Sequence, residues 1–264
     1  MEKITSRKNP LAVHIKKLGT SRSYRQEQGE FLCDGIKLLE EAVMSNIGII
    51  SVLTASNVPF PLSMDTRVYY TDRGIIDYLS PLKNAQDMLF SCKLPQMDKM
   101  ERPGLAYEAH DKKGTHILLD GVQDPGNVGA VIRTANAFGI GSVILTGECA
   151  DPYNPKAIRA SMGAIFRQQI YYMTLPELTE LKDNGAVFIG AALREDSRDV
   201  RDADLSSAII AIGGEGRGLS EEVLDLCDDR VMIPISPDCE SLNAAIAASI
   251  IMWETRRSCA GSRK

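Results

Sequence analysis

The sequence predicts an α/β protein: a C-terminal domain with a mostly parallel sheet and helices on both faces, preceded by a smaller α/β domain. Two observations support this fold class. From about residue 115 onward, short and almost continuous apolar runs alternate with stretches of helical periodicity, which is typical of βαβ units. The chain also has 264 residues, enough for one large domain or two ordinary ones.

The first 95 residues predict the smaller domain. Apolar residues at helical spacing predict a helix over 31–45, and two β-rich runs predict strands over 49–54 and 67–71. Residues 95–104 are polar, contain two prolines and lack periodicity, as expected of a linker. The predicted organisation is a domain over 1–95, a linker over 96–114 and a second domain over 115–264.

The second domain contains the repeated strand–helix pattern. Its strands are predicted over 116–120, 143–145, 187–190, 209–212 and 231–233. Its helices are predicted over 127–138, 175–183, 220–227 and 243–257. Ligands of such sheets collect at the carboxyl ends of the strands, and Asp120, Gly213 and Pro234 fall at or just past three of those ends.

Composition excludes several classes of protein. With 44% apolar and 25% charged residues the chain is an ordinary globular protein, neither disordered nor collagen-like. Six cysteines and three histidines show no metal-ligand spacing, so we expect free thiols and no metal. No apolar run is long enough to span a bilayer, and the N-terminus lacks a secretory signal. These features predict a cytoplasmic protein without membrane contact.

Charge is distributed unevenly. Thirty cations against 35 acids give a net charge of −5, which argues mildly against a protein that is basic all over. Residues 1–26, however, hold seven cations and one acid. This basic segment has two interpretations: a solvated helix face with a frayed terminus, or an arm that contacts phosphates.

The loop after the first strand of the second domain leads into a helix. Asn127 can cap that helix, and Arg133 lies six residues further on, toward roughly the same side. The helix is apolar almost all round, which predicts that Arg133 is buried. A buried guanidinium needs an anionic partner, so a functional role for Arg133 is favoured.

Two further loops carry unusual residues. Four glycines occupy six positions over 213–218, which lets the backbone approach a ligand closely, and Glu215 in their midst disfavours a phosphate. This is neither a dinucleotide fingerprint nor a Walker loop. Ser241-Leu242-Asn243 opens a helix of small residues, and a simple N-cap accounts for one of its two polar residues but not both.

The three loops resemble the motifs of the SpoU/TrmH family of SPOUT methyltransferases. The matching residues are Asn127-x-Gly129-x-x-x-Arg133-Thr134, Gly214-Glu215-x-x-Gly218-Leu219 and Ser241-Leu242-Asn243, with a further match over 154–164. The N-terminal part resembles the small substrate-binding domain, related to a ribosomal-protein fold, of the ribosomal RNA members of the family.

The resemblance implies a fold, a cofactor and an activity. It implies a trefoil knot in the C-terminal sheet, a homodimer packed through the last helix, and methyl transfer from S-adenosylmethionine to a ribose 2′-hydroxyl of RNA. The cofactor would be held by Gly213, Gly214, Gly218, Ile233 and Leu242.

It also implies roles for individual residues. Arg133 would stabilise the developing alkoxide, because a guanidinium keeps its proton up to a pKa above about 12 and is a poor base. Asn127, Glu215, Ser241 and Asn243 would orient Arg133 and the reactants. The expected RNA contacts are Lys8, Lys16, Arg22, Arg25 and Arg159.

Three alternatives stay open. A transfer RNA substrate is the nearest, although the length of the N-terminal part favours large-subunit ribosomal RNA. A catalytically silent, knotted RNA-binding protein is disfavoured by the presence of Arg133, Glu215 and Asn243 together. A nicotinamide dehydrogenase lacks its glycine fingerprint here.

Overall fold

The first part of the chain builds a five-stranded sheet in a computed structural model, which describes residues 2–95 and 114–261. Its strands are β1 (Glu2–Ile4), β2 (Glu30–Asp34), β3 (Ile49–Thr54), β4 (Arg67–Thr71) and β5 (Met88–Lys93). The order is β1-β4-β3-β5-β2; β4 is parallel to β1 and β3, and β5 is antiparallel to β3 and β2. The helices are α1 (Pro10–Thr20), α2 (Arg22–Gln28), α3 (Ile36–Met44) and α4 (Arg73–Leu79).

The predicted helix over 31–45 is wrong in its first part. The run Phe31-Leu32-Cys33 is fully buried in β2 and pairs with β5. Gly35, with φ of +106°, follows the strand, and α3 begins only at Ile36. A continuous apolar run fits a strand buried on both faces as well as a helix, and strand pairing decides between the two. The strands predicted over 49–54 and 67–71 are confirmed.

The basic N-terminal segment is an integral part of this unit. Strand β1 pairs with β4, and Ile4, Ile15 and Leu18 are at most 1% exposed. The interpretation of this segment as a frayed terminus is therefore wrong.

A seven-stranded, all-parallel sheet forms the second part. Its strands are β6 (His116–Asp120), β7 (Ser142–Thr146), β8 (Gln169–Tyr172), β9 (Val187–Ala191), β10 (Arg198–Asp199), β11 (Ala208–Gly213) and β12 (Asp229–Met232). Its helices are α5 (Pro125–Phe138), α7 (Leu175–Asp183), α8 (Glu221–Leu226) and α9 (Ala244–Gly261). Helix α6 (Pro155–Ser161) follows β7 along the chain but belongs to the first unit. This agrees with the predicted fold class.

Helices cover both faces of this sheet. On one face, Leu178 of α7 and Val223 of α8 share a buried cluster with Leu118 of β6. The neighbours of Leu118 along the strand, Ile117 and Leu119, are fully buried and point to the opposite face. Helix α9 packs against α5 and β11. The trefoil knot implied by the resemblance stays a prediction.

The strand order is β10-β12-β9-β11-β6-β7-β8, and the side of the sheet on which successive strands are added changes at β6. Chain order runs outward from β6 through β7 to β8, and then crosses to the other side for β9 and β11. In parallel sheets such a switch point is where ligands bind. The register pairs Gly213, the last residue of β11, with Asp120, the last residue of β6.

By its contacts the chain divides into two units, Met1–Gln96 with Asp151–Arg167, and Met97–Ala150 with Gln168–Lys264. The predicted linker lies almost wholly outside the described residues, so the predicted domain bounds stay a prediction. Residues 151–167, which group with the first unit, also contact it through side chains of α2 and β2. Arg25, 3% exposed, donates through its guanidinium to the Asp151 carboxylate at 2.5 and 3.1 Å, and Phe31 packs against Tyr153 with tilted rings whose centroids are 5.0 Å apart.

The described cysteines are free thiols, namely Cys33, Cys92, Cys149, Cys227 and Cys239. Burial raises the pKa of the Cys33 and Cys149 thiols, and raises that of Cys227 to about 11. These thiols are therefore neutral at physiological pH. Among residues 2–95 and 114–261, no helix is long and apolar enough to cross a membrane. The same residues contain no cluster of His, Cys, Asp and Glu that could hold a metal ion.

Candidate active site

Helix α5 starts at Pro125, two residues before the predicted position. Its N-cap is Asp124, whose carboxylate accepts hydrogen bonds from the backbone N–H groups of Gly126 at 2.6 Å and Asn127 at 3.1 Å, with Pro125 at the first helical position. The prediction that Asn127 caps this helix is wrong, because an aspartate before a proline provides a better start. The Asn127 side chain is thereby available for other contacts.

The Asn127 amide joins the three loops that the sequence singled out. Its Nδ2 donates to Oε1 of Glu215, in the loop after β11. Its Oδ1 accepts from Nδ2 of Asn243 at 3.2 Å, in the loop before α9. One side chain therefore ties together the ends of three segments at the carboxyl edge of the sheet, and we call this set the amide–carboxylate network (Asn127, Glu215, Asn243).

Asn243 has two functions at once. Its Oδ1 caps α9 by accepting from the backbone N–H groups of Ala245 at 3.0 Å and Ile246 at 3.2 Å. Its Nδ2 belongs to the network. Ser241 is exposed, and its carbonyl oxygen accepts a weak hydrogen bond from the Cys239 thiol. The structure does not bring the Ser241 hydroxyl into the network.

Arg133 is exposed, and the prediction of a buried guanidinium is wrong. Buried residues of α5 such as Val128, Val131 and Ile132 form the apolar side of the helix, and Arg133 faces away from it. Within the described part of the chain, no carboxylate pairs with Arg133. Its guanidinium is free to meet an anion or a developing negative charge from outside this chain.

The glycine loop after β11 closes on itself. The backbone N–H of Gly218 donates to the Gly214 carbonyl at 3.0 Å, and Gly216 and Gly218 have φ of +78° and +69°. A Cβ on Gly213 would lie 2.0 Å from the Gly218 carbonyl carbon, and one on Gly214 would lie 2.4 Å from the Gly121 oxygen. Backbone packing thus requires glycine at 213 and 214, and it holds Glu215 at the tip.

Asp120 anchors both ends of this loop, and the sequence did not identify it as a site residue. Its carbonyl oxygen accepts from the Gly214 N–H at 2.9 Å. Its Oδ2 accepts from the backbone N–H and the hydroxyl of Ser220, both at 2.7 Å. The side chain is 8% exposed. The available signal was an acidic residue at the end of an otherwise apolar, buried strand.

The residues expected to hold S-adenosylmethionine fit such a ligand. Ile233 and Leu242 are half-buried apolar side chains near the two ends of the loop between β12 and α9. Gly218 is exposed, and no atom lies within 4 Å of the position that its Cβ would take. Its backbone is therefore accessible to a ligand.

The expected RNA-contacting residues of the first unit separate into two groups. Lys8 and Arg22 are exposed, and Lys16 is half-buried with its Nζ donating to the Tyr78 carbonyl oxygen at 2.6 Å. The expectation for Arg25 is wrong, because its guanidinium is ion-paired with Asp151 and donates to the Leu18 carbonyl oxygen at 2.7 Å. Arg159 is half-buried and donates to the Asn84 carbonyl at 3.0 Å.

An aromatic ring missed by the sequence lies among these cations. Tyr78 is 42% exposed, the Arg7 guanidinium lies 4.3 Å from its ring centroid and Lys16 Nζ lies 4.9 Å from it. Cations over an exposed ring form a surface that suits a base and its phosphate.

Comparison with known proteins identifies the family. Residues 114–253 match the family model described as the SpoU rRNA Methylase family. The chain is 30% identical, over 97% of its length and 100% of the relative, to the 23S rRNA (guanosine(2553)-2′-O)-methyltransferase RlmP of Bacillus subtilis (strain 168).

Solved structures agree with this assignment. The AdoMet-bound rRNA methyltransferase from Sinorhizobium meliloti superposes with a TM-score of 0.84 at 27% identity, covering 97% of this chain and 98% of that one. The SpoU methyltransferase AviRb from Streptomyces viridochromogenes, in complex with AdoMet, superposes with a TM-score of 0.81 at 26% identity, covering 96% and 99%. The network, the glycine loop and these matches agree, and the chain belongs to the SpoU rRNA methylase family.

Proposed function

We propose that this protein transfers a methyl group from S-adenosylmethionine to a ribose 2′-hydroxyl of large-subunit ribosomal RNA. The observation that carries the proposal is the amide–carboxylate network, which joins all three family loops in a chain of this family. RlmP, which is named for 2′-O-methylation of 23S rRNA, aligns with this chain along its whole length. That extent of alignment supports ribosomal RNA over transfer RNA.

The chemistry asks the protein to position two reactants and to stabilise charge. S-adenosylmethionine supplies a methyl group on a positively charged sulfur, which a ribose oxygen attacks in line. That oxygen is a poor nucleophile until its proton passes to an acceptor, for which we propose a phosphate of the RNA, and S-adenosylhomocysteine is the leaving group. Arg133, exposed and unpaired within the described residues, stabilises the developing alkoxide without giving up its own proton.

Glu215 and Asn127 act by position. The hydrogen bond from Asn127 Nδ2 fixes one carboxylate oxygen of Glu215. The carboxylate lies at the tip of the cofactor loop, where it suits the positively charged methionine end of the cofactor. Gly218, Ile233 and Leu242 hold the cofactor, with Gly213 and Gly214 shaping the loop.

RNA would be held by the cationic surface of the first unit. We assign Lys8, Lys16 and Arg22 to phosphates and Tyr78 to base stacking, with Arg159 as a further cation. Local charge explains how an acidic protein meets RNA, because phosphates sense the nearest cations within about 10 Å rather than the net charge.

We also infer a homodimer formed through α9. Ile246 and Trp253 of this helix are 53% and 58% exposed, and Trp253 packs on Phe138 of α5 at 5.9 Å between ring centroids. Large apolar side chains exposed on one face of a helix, about two turns apart, mark an interface. The free thiols suit a reducing compartment, for which we propose the cytoplasm.

The substrate is tested by offering the purified protein unmodified ribosomal and transfer RNA with labelled S-adenosylmethionine. We expect label on ribosomal RNA, at a single 2′-oxygen that resists alkaline cleavage. Label on transfer RNA alone would replace the substrate. Failure to bind S-adenosylhomocysteine in isothermal titration would contradict the proposed activity itself.

A further inference from the structure

A cavity of about 530 Å³ opens at the carboxyl edge of the parallel sheet, on the side of α7 and α8. It is lined by the ends of β6, β7 and β8 and by the first residues of α7 and α8. The lining residues are Asp120, Leu145, Thr146, Gly147, Tyr172, Met173, Thr174, Leu175, Ser220, Glu222 and Val223. None of the residues of the amide–carboxylate network and none of the expected cofactor residues lines it.

The cavity contains a hydrogen-bond acceptor, Asp120 Oδ1, that has no donor among the described residues. Asp120 uses Oδ2 for both of its bonds to Ser220, and no described residue donates to Oδ1. Gly147, with φ of +61°, keeps the space beside this oxygen free, since a Cβ there would lie 3.3 Å from Oδ1. A carboxylate oxygen that is mostly withdrawn from water gains from a hydrogen-bond donor.

The lining chemistry selects the ligand. Asp120 and Glu222 are carboxylates and Thr146 adds a hydroxyl, whereas no lysine or arginine occurs among the described lining residues. A phosphate is therefore repelled, and a group with N–H donors is favoured. Leu145, Met173 and Val223 provide an apolar wall, and Tyr172, 36% exposed, can stack on a planar ring.

We propose that this cavity binds a nucleobase with an exocyclic amino group, guanine best of all. Guanine presents an imino and an amino donor side by side, which suits Asp120 Oδ1 and a second acceptor. The assignment of this base to the RNA substrate rests on the proposed function. Because Asp120 also holds both ends of the Glu215 loop, the bound base would lie beside the methyl-transfer site and would select the sequence around the methylated nucleotide.

Nuclear magnetic resonance of protein labelled at its methionine methyl groups tests the proposal without methyl transfer. Met173 lines the cavity and is 8% exposed; a Met173→Leu variant assigns its signal. Guanosine, inosine and uridine are titrated separately. We expect guanosine to shift the Met173 signal and inosine, which lacks the amino group, to bind about tenfold more weakly, as for a lost hydrogen bond to a charged group.

Matched variants locate the binding. Tyr172→Ala and Glu222→Gln should each weaken guanosine binding, while Glu180→Gln, which removes the same charge from an exposed position of α7 outside the cavity, should not. An unmoved Met173 signal, or equal binding of guanosine and uridine, would overturn the proposal. A short single-stranded oligonucleotide that contains one guanine is titrated in the same way. A shift of the Met173 signal by the oligonucleotide indicates that the cavity takes a base within RNA, whereas a shift by guanosine alone indicates a free nucleoside. Because no readout depends on methylation, failure here is distinguishable from failure of the proposed activity.

Discussion

At the scale of single residues, function depends on which side chains are left free. Asp124 caps α5, so the Asn127 amide can bridge Glu215 and Asn243. Arg25 is the opposite case, because its guanidinium forms an ion pair with Asp151 inside the first unit. Residue type alone did not distinguish a buried, ion-paired arginine such as Arg25 from an exposed one such as Arg133. Burial and partners did.

Arg133→Ala tests the assigned electrostatic role. The side chain is exposed, so its loss should leave the fold and S-adenosylhomocysteine binding nearly unchanged. Removing one preorganised donor from an oxyanion typically lowers kcat about 100-fold to 1,000-fold. Arg201→Ala, at an exposed arginine paired with Asp199, is the control and should turn over normally. Unchanged turnover of Arg133→Ala would refute the assignment.

At the scale of elements, one residue at the start of α9 both caps the helix and contacts a neighbouring loop. Asn243 caps the helix and also reaches Asn127. The two roles can be separated because serine is an equally good cap but is too short to reach Asn127.

Asn243→Ala should cost about 1 kcal/mol of unfolding free energy through loss of the cap, measured by urea denaturation, and should impair methyl transfer. Asn243→Ser should retain most of the stability and still impair methyl transfer. If both variants lose activity only in proportion to their loss of stability, the contact with Asn127 has no role in methyl transfer.

At the scale of the whole molecule, exposed apolar and cationic surfaces predict assembly and binding. Trp253→Glu should convert the inferred dimer, twice 28.9 kDa, to a monomer in sedimentation velocity, because a carboxylate cannot be buried unpaired in an apolar contact. Val187→Glu makes the same change at an apolar residue that is 45% exposed on β9, and should leave the dimer intact. A wild-type monomer would contradict the inference.

Salt dependence tests the cationic surface. Removing residues 1–26 would destroy the core around Ile15 and Leu18, so point variants are required. Lys8→Ala and Lys16→Ala should each flatten the slope of log binding constant against log salt by about 0.7 to 0.9 per lost phosphate contact. Lys37→Ala, exposed on α3, is the control. Slopes equal to that of the wild type would show that these cations are solvated and do not contact RNA phosphates.

The sequence by itself determined the fold class, and it predicted the candidate site residues of the three loops but not Asp120. Apolar runs such as 116–120 and 209–212 are local signals, and the three loops carry their motifs within short windows. Phe31–Asp34 was misassigned because an apolar run fits a helix or a buried strand equally well until β5 pairs with it.

Only the tertiary structure decided which side chains meet. Asn127 contacts residues 88 and 116 positions away, and Arg25 finds Asp151 across 126 positions. The exposure of Arg133 and the open oxygen of Asp120 likewise depend on how the helices and loops pack. Periodicity encodes which face of an element is apolar, whereas hydrogen-bond partners depend on the path of the chain through space.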